Sequence, residues 1–196
     1  MFKYSNLFTC CESRVGVLIL QGGNFGIDSN FIQKIYEASV SQGFTALAYN
    51  FPYYDRGEKS TTDGCSEEAE TVKDSIEYLQ SNGAENILVV AKSLGSVVAT
   101  KALLRHPELP VRKVVILGSP IKYCDFTGFK DIALQIIQGS SDKYGDANDV
   151  RAALSHAGVE AVVNEIADAD HSFRGQNGEE PGEQITAINM INWSIE

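Results

Sequence analysis

The sequence predicts an α/β fold, a three-layer α/β/α sandwich built on a mainly parallel sheet. Short apolar runs of strand length alternate along the chain with longer segments in which apolar residues recur every three or four positions. The apolar runs are continuous, which indicates strands that are buried on both faces. Strands that alternate with helices are typical of parallel sheets, because a helix then connects each strand to the next.

Six apolar runs predict the strands, at residues 15–21, 44–50, 86–91, 113–117, 133–138 and 161–166. Two apolar stripes, one of which begins at Phe31 and the other at Ala69, predict helices that pack on the sheet. Further helices are predicted over residues 94–106, 147–157 and 183–195. Gly43, Gly83 and Gly158 stand where helices must end, since glycine accepts the left-handed conformation that ends many helices. Residues 51–64, rich in aromatic, charged and turn residues, are predicted to form a surface loop.

Length and composition limit the organisation and the partners of the chain. With 196 residues and 43% hydrophobic content, it suits one domain over residues 1–196 better than two. The formal charge of −10 disfavours nucleic acid and acidic membranes as partners. No basic leader precedes a long apolar stretch, and residues 15–20 are too few to span a bilayer, so we expect a cytoplasmic protein without a membrane span.

The four cysteines, Cys10, Cys11, Cys65 and Cys124, lack the spacing of zinc ligands. We expect reduced thiols, no metal site and no cofactor. Composition leaves the oligomeric state open.

Ser93 is the candidate nucleophile. The segment Ala-Lys-Ser-Leu-Gly at residues 91–95 follows a predicted strand and opens a predicted helix. A serine with small residues two positions to either side, at a strand-to-helix turn, is typical of a nucleophile elbow, in which a strained backbone exposes the hydroxyl. The alternative is a serine that caps the helix.

A serine nucleophile needs a histidine base and an acid that orients it. Of the three histidines, His171 follows the last predicted strand, whereas His106 and His156 belong to predicted helices. Asp142 ends a glycine turn after another strand and is the first choice for the acid. Four residues later, Asp146 is the reserve, because a small change of loop register would exchange the two. Asp168 and Asp170 are too close to His171 along the chain to bond its ring well.

An oxyanion hole needs two N–H groups that point at the developing charge. The N–H of Leu94 supplies one by its position after Ser93. The glycine-rich turn after the first predicted strand supplies the other, from Gly23 or Asn24, because glycines let the backbone approach closely. This turn lacks the lysine of a phosphate-binding loop and the fingerprint of a dinucleotide site.

Together these motifs resemble the α/β-hydrolase superfamily, in particular its small cap-less members similar to dienelactone hydrolase and related short esterases. The resemblance covers nearly the whole chain and rests on the turn at residues 21–24, the elbow at Ser93, the turn at residues 139–142 and the segment at residues 170–173. The order Ser, Asp, His also matches the family. Three departures are Gln21 in place of the usual histidine, Ala91 in place of the usual glycine, and only 14 residues before Val15. The two leading antiparallel strands of the family are therefore expected to be shortened or partly missing.

The resemblance implies a serine hydrolase that acts on a small ester or thioester through an acyl-enzyme. The 15 residues between Leu117 and Ala133 are too few for a lid domain, which indicates an open site. Phe51, Tyr53 and Tyr54, beside Pro52, are candidate pocket walls, with packing of the loop as the alternative. Lys92 is expected to be exposed. The competing functions are a non-catalytic scaffold of the same fold and a small peptidase or amidase that uses the same machinery.

Overall fold

A computed structural model describes residues 2–61, 64–174 and 182–195 of the chain. Its centre is a seven-stranded sheet in the order β1-β3-β2-β4-β5-β6-β7, parallel throughout except that β1 runs antiparallel to β3. The strands are β1 Asn6–Thr9, β2 Val15–Leu20, β3 Thr45–Tyr49, β4 Asn86–Lys92, β5 Val111–Leu117, β6 Ala133–Gly139 and β7 Val162–Ile166. All six predicted strands are present, with ends that differ by up to two residues from the prediction.

The helices fall on both faces of this sheet. They are α1 Asn30–Ser41, α2 Pro52–Asp55, α3 Ser66–Ser81, α4 Leu94–Arg105, α5 Ala147–Ala157 and α6 Gln184–Asn189, with 3-10 turns at Ile121–Tyr123 and Phe126–Phe129. The predicted glycines follow α1, α3 and α5, and each has a positive φ: Gly43 at 82°, Gly83 at 96° and Gly158 at 66°.

Two apolar layers enclose the sheet, because successive strand residues face opposite sides. In β2, Leu18 and Leu20 pack with the helices α3, α4 and α5, whereas Val17 and Ile19 pack with α1 and α6. Continuous apolar strands are thus covered on both faces, which confirms the predicted three-layer sandwich. Among the described helices, none is both long enough and apolar enough to cross a membrane.

The N-terminal strand was not predicted from the sequence. β1 is four residues long and pairs Asn6 to Thr9 with Tyr49 to Ala46 at the edge of the sheet. Its residues are all half-buried, and four residues are too short for a clear alternating pattern. Within the described residues, β1 is the one antiparallel strand.

The helix predicted over residues 183–195 is wrong in its second half, since α6 ends at Asn189. The following segment lies along the starts of β5 and β6, whose side chains take over its backbone hydrogen bonds. Gln135 Nε2 donates to Met190 O at 2.8 Å, Asn192 N donates to Gln135 Oε1 at 2.9 Å, and Lys113 Nζ donates to Ser194 O at 2.9 Å. These long-range partners replace the helical ones.

Only part of the segment at residues 51–64 forms the surface loop that was predicted for it. It begins with α2, and Phe51 and Tyr53 are fully buried in the core. The remainder, from Asp55 to Ser60, is exposed.

Between β5 and β6 the chain forms only the two 3-10 turns, packed against α4 by Phe126 and Phe129. This connection carries no lid domain, as predicted.

Candidate active site

Ser93 occupies a sharp turn between β4 and α4. Its backbone has φ 49° and ψ −112°, a conformation that is rare for a residue with a side chain and is held in place by its surroundings. A Cβ on Gly95 would lie 2.7 Å from Leu20 O and 2.8 Å from Leu20 Cβ, so only glycine fits where α4 crosses β2. Ala91 is fully buried on the other side of the turn. Of the two small residues of the motif, Gly95 is thus the one whose surroundings leave no room for a side chain.

Ser93, His171 and Asp142 form one chain of hydrogen bonds. Ser93 Oγ lies 2.7 Å from His171 Nε2, and His171 Nδ1 lies 2.7 Å from Asp142 Oδ2. A carboxylate only accepts, so Nδ1 carries the ring proton and donates it to Asp142. In the neutral ring Nε2 is then an acceptor, and the Ser93 hydroxyl donates to it. The three predicted residues are within direct contact, although 78 residues separate Ser93 from His171 along the chain.

The Asp142 carboxylate is held by two further donors that sequence reasoning did not find. Its side chain has no exposed surface. Gln138 Nε2 donates to Oδ2 at 2.9 Å, and the N–H of Tyr144 donates to Oδ1 at 2.9 Å. Gln138 also accepts from the N–H of Ser119 at 2.7 Å, which links the ends of β5 and β6. Gln138 is a buried polar residue within an apolar strand, and that is the signal that could have found it.

Backbone contacts bring the loops of Asp142 and His171 together. Ser140 N donates to Ile166 O at 2.9 Å, and Ser141 N donates to Ala169 O at 3.0 Å. A Cβ on Gly139 would lie 2.2 Å from Ala169 O, so glycine is required at the end of β6. The turn after β6 and the loop after β7 therefore form one packed unit.

Burial lowers the pKa of His171. Loss of solvent favours the neutral ring, and the nearby Lys92 and Lys143 ammonium groups act in the same direction, whereas the hydrogen bond to Asp142 acts against them. The ring is therefore held in the form that accepts the proton of Ser93. The ring of Tyr144 packs edge-on against His171 with centroids 4.5 Å apart and supports its position.

Lys92 is buried, which corrects the expectation of an exposed side chain. It is 9% exposed, its Nζ donates to the carbonyl oxygen of His171 at 2.8 Å, and it lies 5.5 Å from the ring centroid of Phe173. The side chain turns toward the loop after β7, a direction that the local motif does not encode. Burial lowers the pKa of Lys92 to about 8.

Asp146, Asp170 and His106 have partners other than Ser93 and His171, and His156 lies on a helix. Asp146 is the N-cap of α5 and accepts from the N–H groups of Asn148 and Asp149. Asp170 accepts from the N–H groups of Ser172 and Arg174 and forms an ion pair with Arg174. His106 contacts Glu70, and His156 lies on α5. The hydrogen bond from His171 goes to Asp142 and not to the reserve candidate Asp146.

The residues predicted for an oxyanion hole lie side by side. Leu94 is the first residue of α4, where an N–H has no acceptor within the helix. A Cβ on Gly23 would lie 3.9 Å from Leu94 Cβ, so the loop after β2 contacts the start of α4. Tyr53 Oη donates to Gly23 O at 2.5 Å. Because C=O and N–H point in opposite directions across a trans peptide, this bond fixes the direction of the Asn24 N–H.

An open cavity of about 730 Å³ surrounds Ser93 and His171. Tyr53, one of the three candidate pocket walls, is among the residues that line it. Phe51 instead packs in the core against Tyr49, with centroids 5.8 Å apart, and Tyr54 contacts Gly26 and Asp28 beside the cavity. The three rings are in contact with their neighbours in the chain, with centroids 6.3 Å apart for Phe51 and Tyr53 and 6.4 Å apart for Tyr53 and Tyr54, but of the three it is Tyr53 that lines the cavity. Over the part of the chain that the structure describes, no group of three or more His, Cys, Asp or Glu side chains is arranged to hold a metal ion.

The family model for an alpha/beta hydrolase domain matches residues 13–192. The chain belongs to the α/β-hydrolase family. Among solved structures, an α/β serine hydrolase homologue from Coxiella burnetii has a TM-score of 0.75 at 14% identity, with 95% of this chain and 91% of that one covered. A lid-less serine hydrolase from Xanthomonas campestris has a TM-score of 0.71 at 16% identity, with coverage of 85% and 79%. These structural similarities support the α/β-hydrolase fold.

Two more comparisons concern proteins with named activities. A dienelactone hydrolase from Anabaena variabilis has a TM-score of 0.73 at 17% identity, with 94% of this α/β-hydrolase chain and 87% of that chain covered. A probable alcohol acetyltransferase from Cyberlindnera fabianii is 25% identical over 126 residues, which is 64% of this chain. The chain spans about a third of the length of that curated relative, since the match covers 33% of it.

Proposed function

We propose that this α/β-hydrolase is a serine hydrolase that cleaves a small carboxylic ester or thioester. The observation that carries the proposal is the continuous hydrogen-bond chain from Ser93 through His171 to Asp142, with both distances 2.7 Å, in which Ser93 and His171 line an open cavity. A hydroxyl bonded to a neutral imidazole, which is in turn bonded to a buried carboxylate, is the arrangement that activates serine for attack on a carbonyl.

In the proposed reaction, Ser93 Oγ attacks the carbonyl carbon while its proton passes to His171 Nε2. The negative charge that develops on the carbonyl oxygen is stabilised by the N–H of Leu94 and by that of Gly23 or Asn24. His171 then donates the proton to the departing alcohol or thiol, which leaves an acyl group on Ser93. A water molecule, deprotonated by His171, attacks the acyl group and releases the acid and free Ser93. Asp142 fixes the ring tautomer and stabilises the imidazolium.

A fluorophosphonate probe tests this proposal without knowledge of the substrate, because it modifies only an activated serine. We expect peptide mass spectrometry to locate the label at Ser93, and we expect Ser93→Ala and His171→Ala to abolish it. The matched control is Ser155→Ala, since Ser155 is exposed on α5 outside the cavity. Folded protein that takes up no label would contradict the proposal and favour a scaffold of the hydrolase fold. A label that persists in Ser93→Ala would remove Ser93 from the mechanism.

A second candidate is transfer of the acyl group to an alcohol instead of water. It rests on the similarity to the alcohol acetyltransferase, and the chemistry differs only in the nucleophile that resolves the acyl-enzyme. Incubation with an acetyl ester and an added alcohol separates the two. If a new ester of the added alcohol accumulates and this depends on Ser93, transfer competes with hydrolysis. If the acetyl group is recovered only as acetate, beside the alcohol that the ester releases, the chain is a hydrolase. Cleavage of an anilide in the same assay would instead support a small amidase.

A further inference from the structure

The cavity around Ser93 differs in charge from the rest of the molecule. The chain carries 26 acidic and 16 basic residues, yet among the described lining residues four are lysines and none is an aspartate or glutamate. These lysines are Lys59, Lys92, Lys101 and Lys143. A concentration of one charge in a cleft of a protein with the opposite net charge attracts a ligand of the opposite sign. The composition of the cavity therefore favours an anionic ligand.

The four lysines differ in whether their ammonium groups are available to bind an anion. Lys92 is buried and donates to the carbonyl of His171, so its ammonium group is already bound to another part of the protein. Lys143 lies next to Asp142, at the same end of the cavity as His171. Lys101 lies further along α4 from Ser93, and its Nζ donates to the carbonyl of Gly64, close in the chain to Lys59, Ser60 and Thr61. These four residues all line the cavity, and we call them its far end. Within the described chain, neither Lys59 nor Lys101 is in an ion pair, since the nearby Glu58 and Glu67 both bind Arg56.

The position of Lys101 on α4 gives the distance between its ammonium group and Ser93. Ser93, Val97 and Lys101 line the cavity at intervals of four residues, so they follow one face of α4. Eight residues of helix separate Ser93 from Lys101, which places their Cα atoms about 12 Å apart. Since long side chains on a helix lean toward its N-terminus, the ammonium group lies roughly 10 Å from Ser93. Lys101 Nζ donates to the carbonyl oxygen of Gly64, and this bond uses one of its three N–H groups. Within residues 2–61, 64–174 and 182–195, the other two N–H groups have no acceptor.

The wall between these two ends is largely apolar. Val97, Tyr53 and Cys65 line it and are almost fully buried. Starting from Ser93, the cavity therefore offers an apolar stretch followed by two ammonium groups and two hydroxyl groups. An acyl chain with a negatively charged end fits this arrangement, because its apolar part would contact the apolar wall and its charged end would meet the ammonium and hydroxyl groups.

We propose that the far end of the cavity, formed by Lys59, Ser60, Thr61 and Lys101, binds a terminal carboxylate of the acyl group. The preferred substrates are then half-esters or half-thioesters of linear dicarboxylic acids, with the carboxylate about 10 Å from the carbonyl that Ser93 attacks. This inference rests on the proposed hydrolase function and assigns the substrate class of the same site.

The test compares p-nitrophenyl half-esters of linear dicarboxylic acids with p-nitrophenyl esters of uncharged acids of the same length. We expect kcat/KM to be about fivefold higher for the half-ester at the optimal length, because a pair of partly exposed opposite charges contributes up to about 1 kcal/mol. Lys59→Met and Lys101→Met should each reduce this preference, and in the double variant the ratio of kcat/KM for the half-ester to that for the uncharged ester should fall to about 1. High salt should have the same effect on the half-ester. The control is Lys130→Met, since Lys130 is exposed and outside the cavity lining.

Several results would overturn the proposal. Equal kcat/KM for charged and uncharged esters in a chain that cleaves both would refute it and leave the hydrolase function intact. Loss of the preference in Lys143→Met, and not in the Lys59 and Lys101 variants, would place the anion at the opposite end. Binding to Ser93→Ala, measured by calorimetry with the half-ester, tests the site even if no ester is cleaved. Equal binding by Ser93→Ala and by its Lys59→Met/Lys101→Met derivative would refute the site, whereas an absence of fluorophosphonate labelling would refute the hydrolase function.

Discussion

At the scale of single residues, the contacts of Lys92 are the largest addition to what the motif at residues 91–95 predicted. It stands directly before Ser93, yet its side chain reaches the loop after β7 and donates to the carbonyl of His171. An ammonium group that is almost fully buried needs such partners, since an unpaired buried charge is strongly unfavourable. Its contacts with His171 O and the Phe173 ring hold the histidine loop against β4. Its charge also lowers the pKa of His171.

Replacement of Lys92 by methionine keeps the length of the side chain and removes the charge. We expect the rise of kcat/KM with pH, which reports deprotonation of free His171, to have its midpoint below about 6.5 in the natural chain, because burial lowers the pKa of this ring. In Lys92→Met the midpoint should move to higher pH, since a positive charge near the ring is lost. The plateau should fall by about tenfold, because a hydrogen bond from a charged group is lost. Initial rates with a p-nitrophenyl ester, measured as a function of pH, check both.

The control for Lys92→Met is Lys113→Met. Lys113 is also buried, and its Nζ donates to a backbone carbonyl, that of Ser194, at the opposite end of the sheet. The substitution Lys113→Met should lower the stability of the fold without changing the pH at which kcat/KM rises. A profile that stays unchanged in Lys92→Met, or that moves equally in both variants, would show that Lys92 has no electrostatic effect on His171.

At the scale of elements, the turn between β4 and α4 depends on close contact with β2. Gly95 is the residue that permits this contact, because an added Cβ would meet the backbone and side chain of Leu20. Helix α4 then starts directly after Ser93, with Leu94 in the lining of the cavity and its N–H without an acceptor inside the helix. The same crossing brings the loop after β2 against Leu94, so one small residue positions two parts of the site.

Gly95→Ala should therefore be destabilising, although alanine is normally the better helix former. We expect the free energy of unfolding to fall by about 1–3 kcal/mol, the usual effect of an extra methyl group in a tightly packed place. Urea unfolding followed by circular dichroism measures it. Gly22→Ala is the matched control, because a Cβ there would lie 3.6 Å or more from its neighbours and should be tolerated. Equal stability of the two variants would contradict the steric argument.

At the scale of the whole molecule, the site forms where the loops after β2, β4, β6 and β7 meet. The carboxyl ends of parallel strands share one edge of the sheet, and binding sites form at that edge. The connection between β5 and β6, where a lid domain would be inserted, contains only short 3-10 turns. Access to Ser93 through this side of the cavity therefore needs no movement of a separate domain.

We accordingly expect no interfacial activation. The hydrolysis rate of p-nitrophenyl butyrate should rise hyperbolically up to the solubility limit and show no abrupt increase beyond it, because the connection between β5 and β6 holds no lid that must be displaced at a lipid surface. Rates of Ser93→Ala, subtracted at each concentration, remove hydrolysis by other surface groups. An abrupt increase of the rate once the ester forms a second phase would contradict this expectation.

Much of the site could be predicted from the sequence, because its main signals are local. The strand, the small residues and the serine at residues 91–95 form one continuous motif, and Gly139 to Asp142 form another. The strands were found because each is an uninterrupted apolar run that is covered on both faces. Strand β1 was not predicted, because its four half-buried residues show no clear period. The predicted end of α6 was wrong, because Gln135 and Lys113 replace the helical hydrogen bonds of the C-terminal segment.

The sequence by itself determined the α/β order of the elements, the family resemblance and Ser93, Asp142 and His171 as candidates, since these depend on periodicity and on motifs a few residues long. The tertiary structure decided which of these groups touch. It brings His171 to Asp142 while Asp146 caps α5, buries Lys92 beneath the histidine loop, and sends Phe51 to the core but Tyr53 to the cavity. These outcomes depend on contacts between residues far apart in the chain, such as Ser93 and His171, and a local pattern carries no information about such contacts.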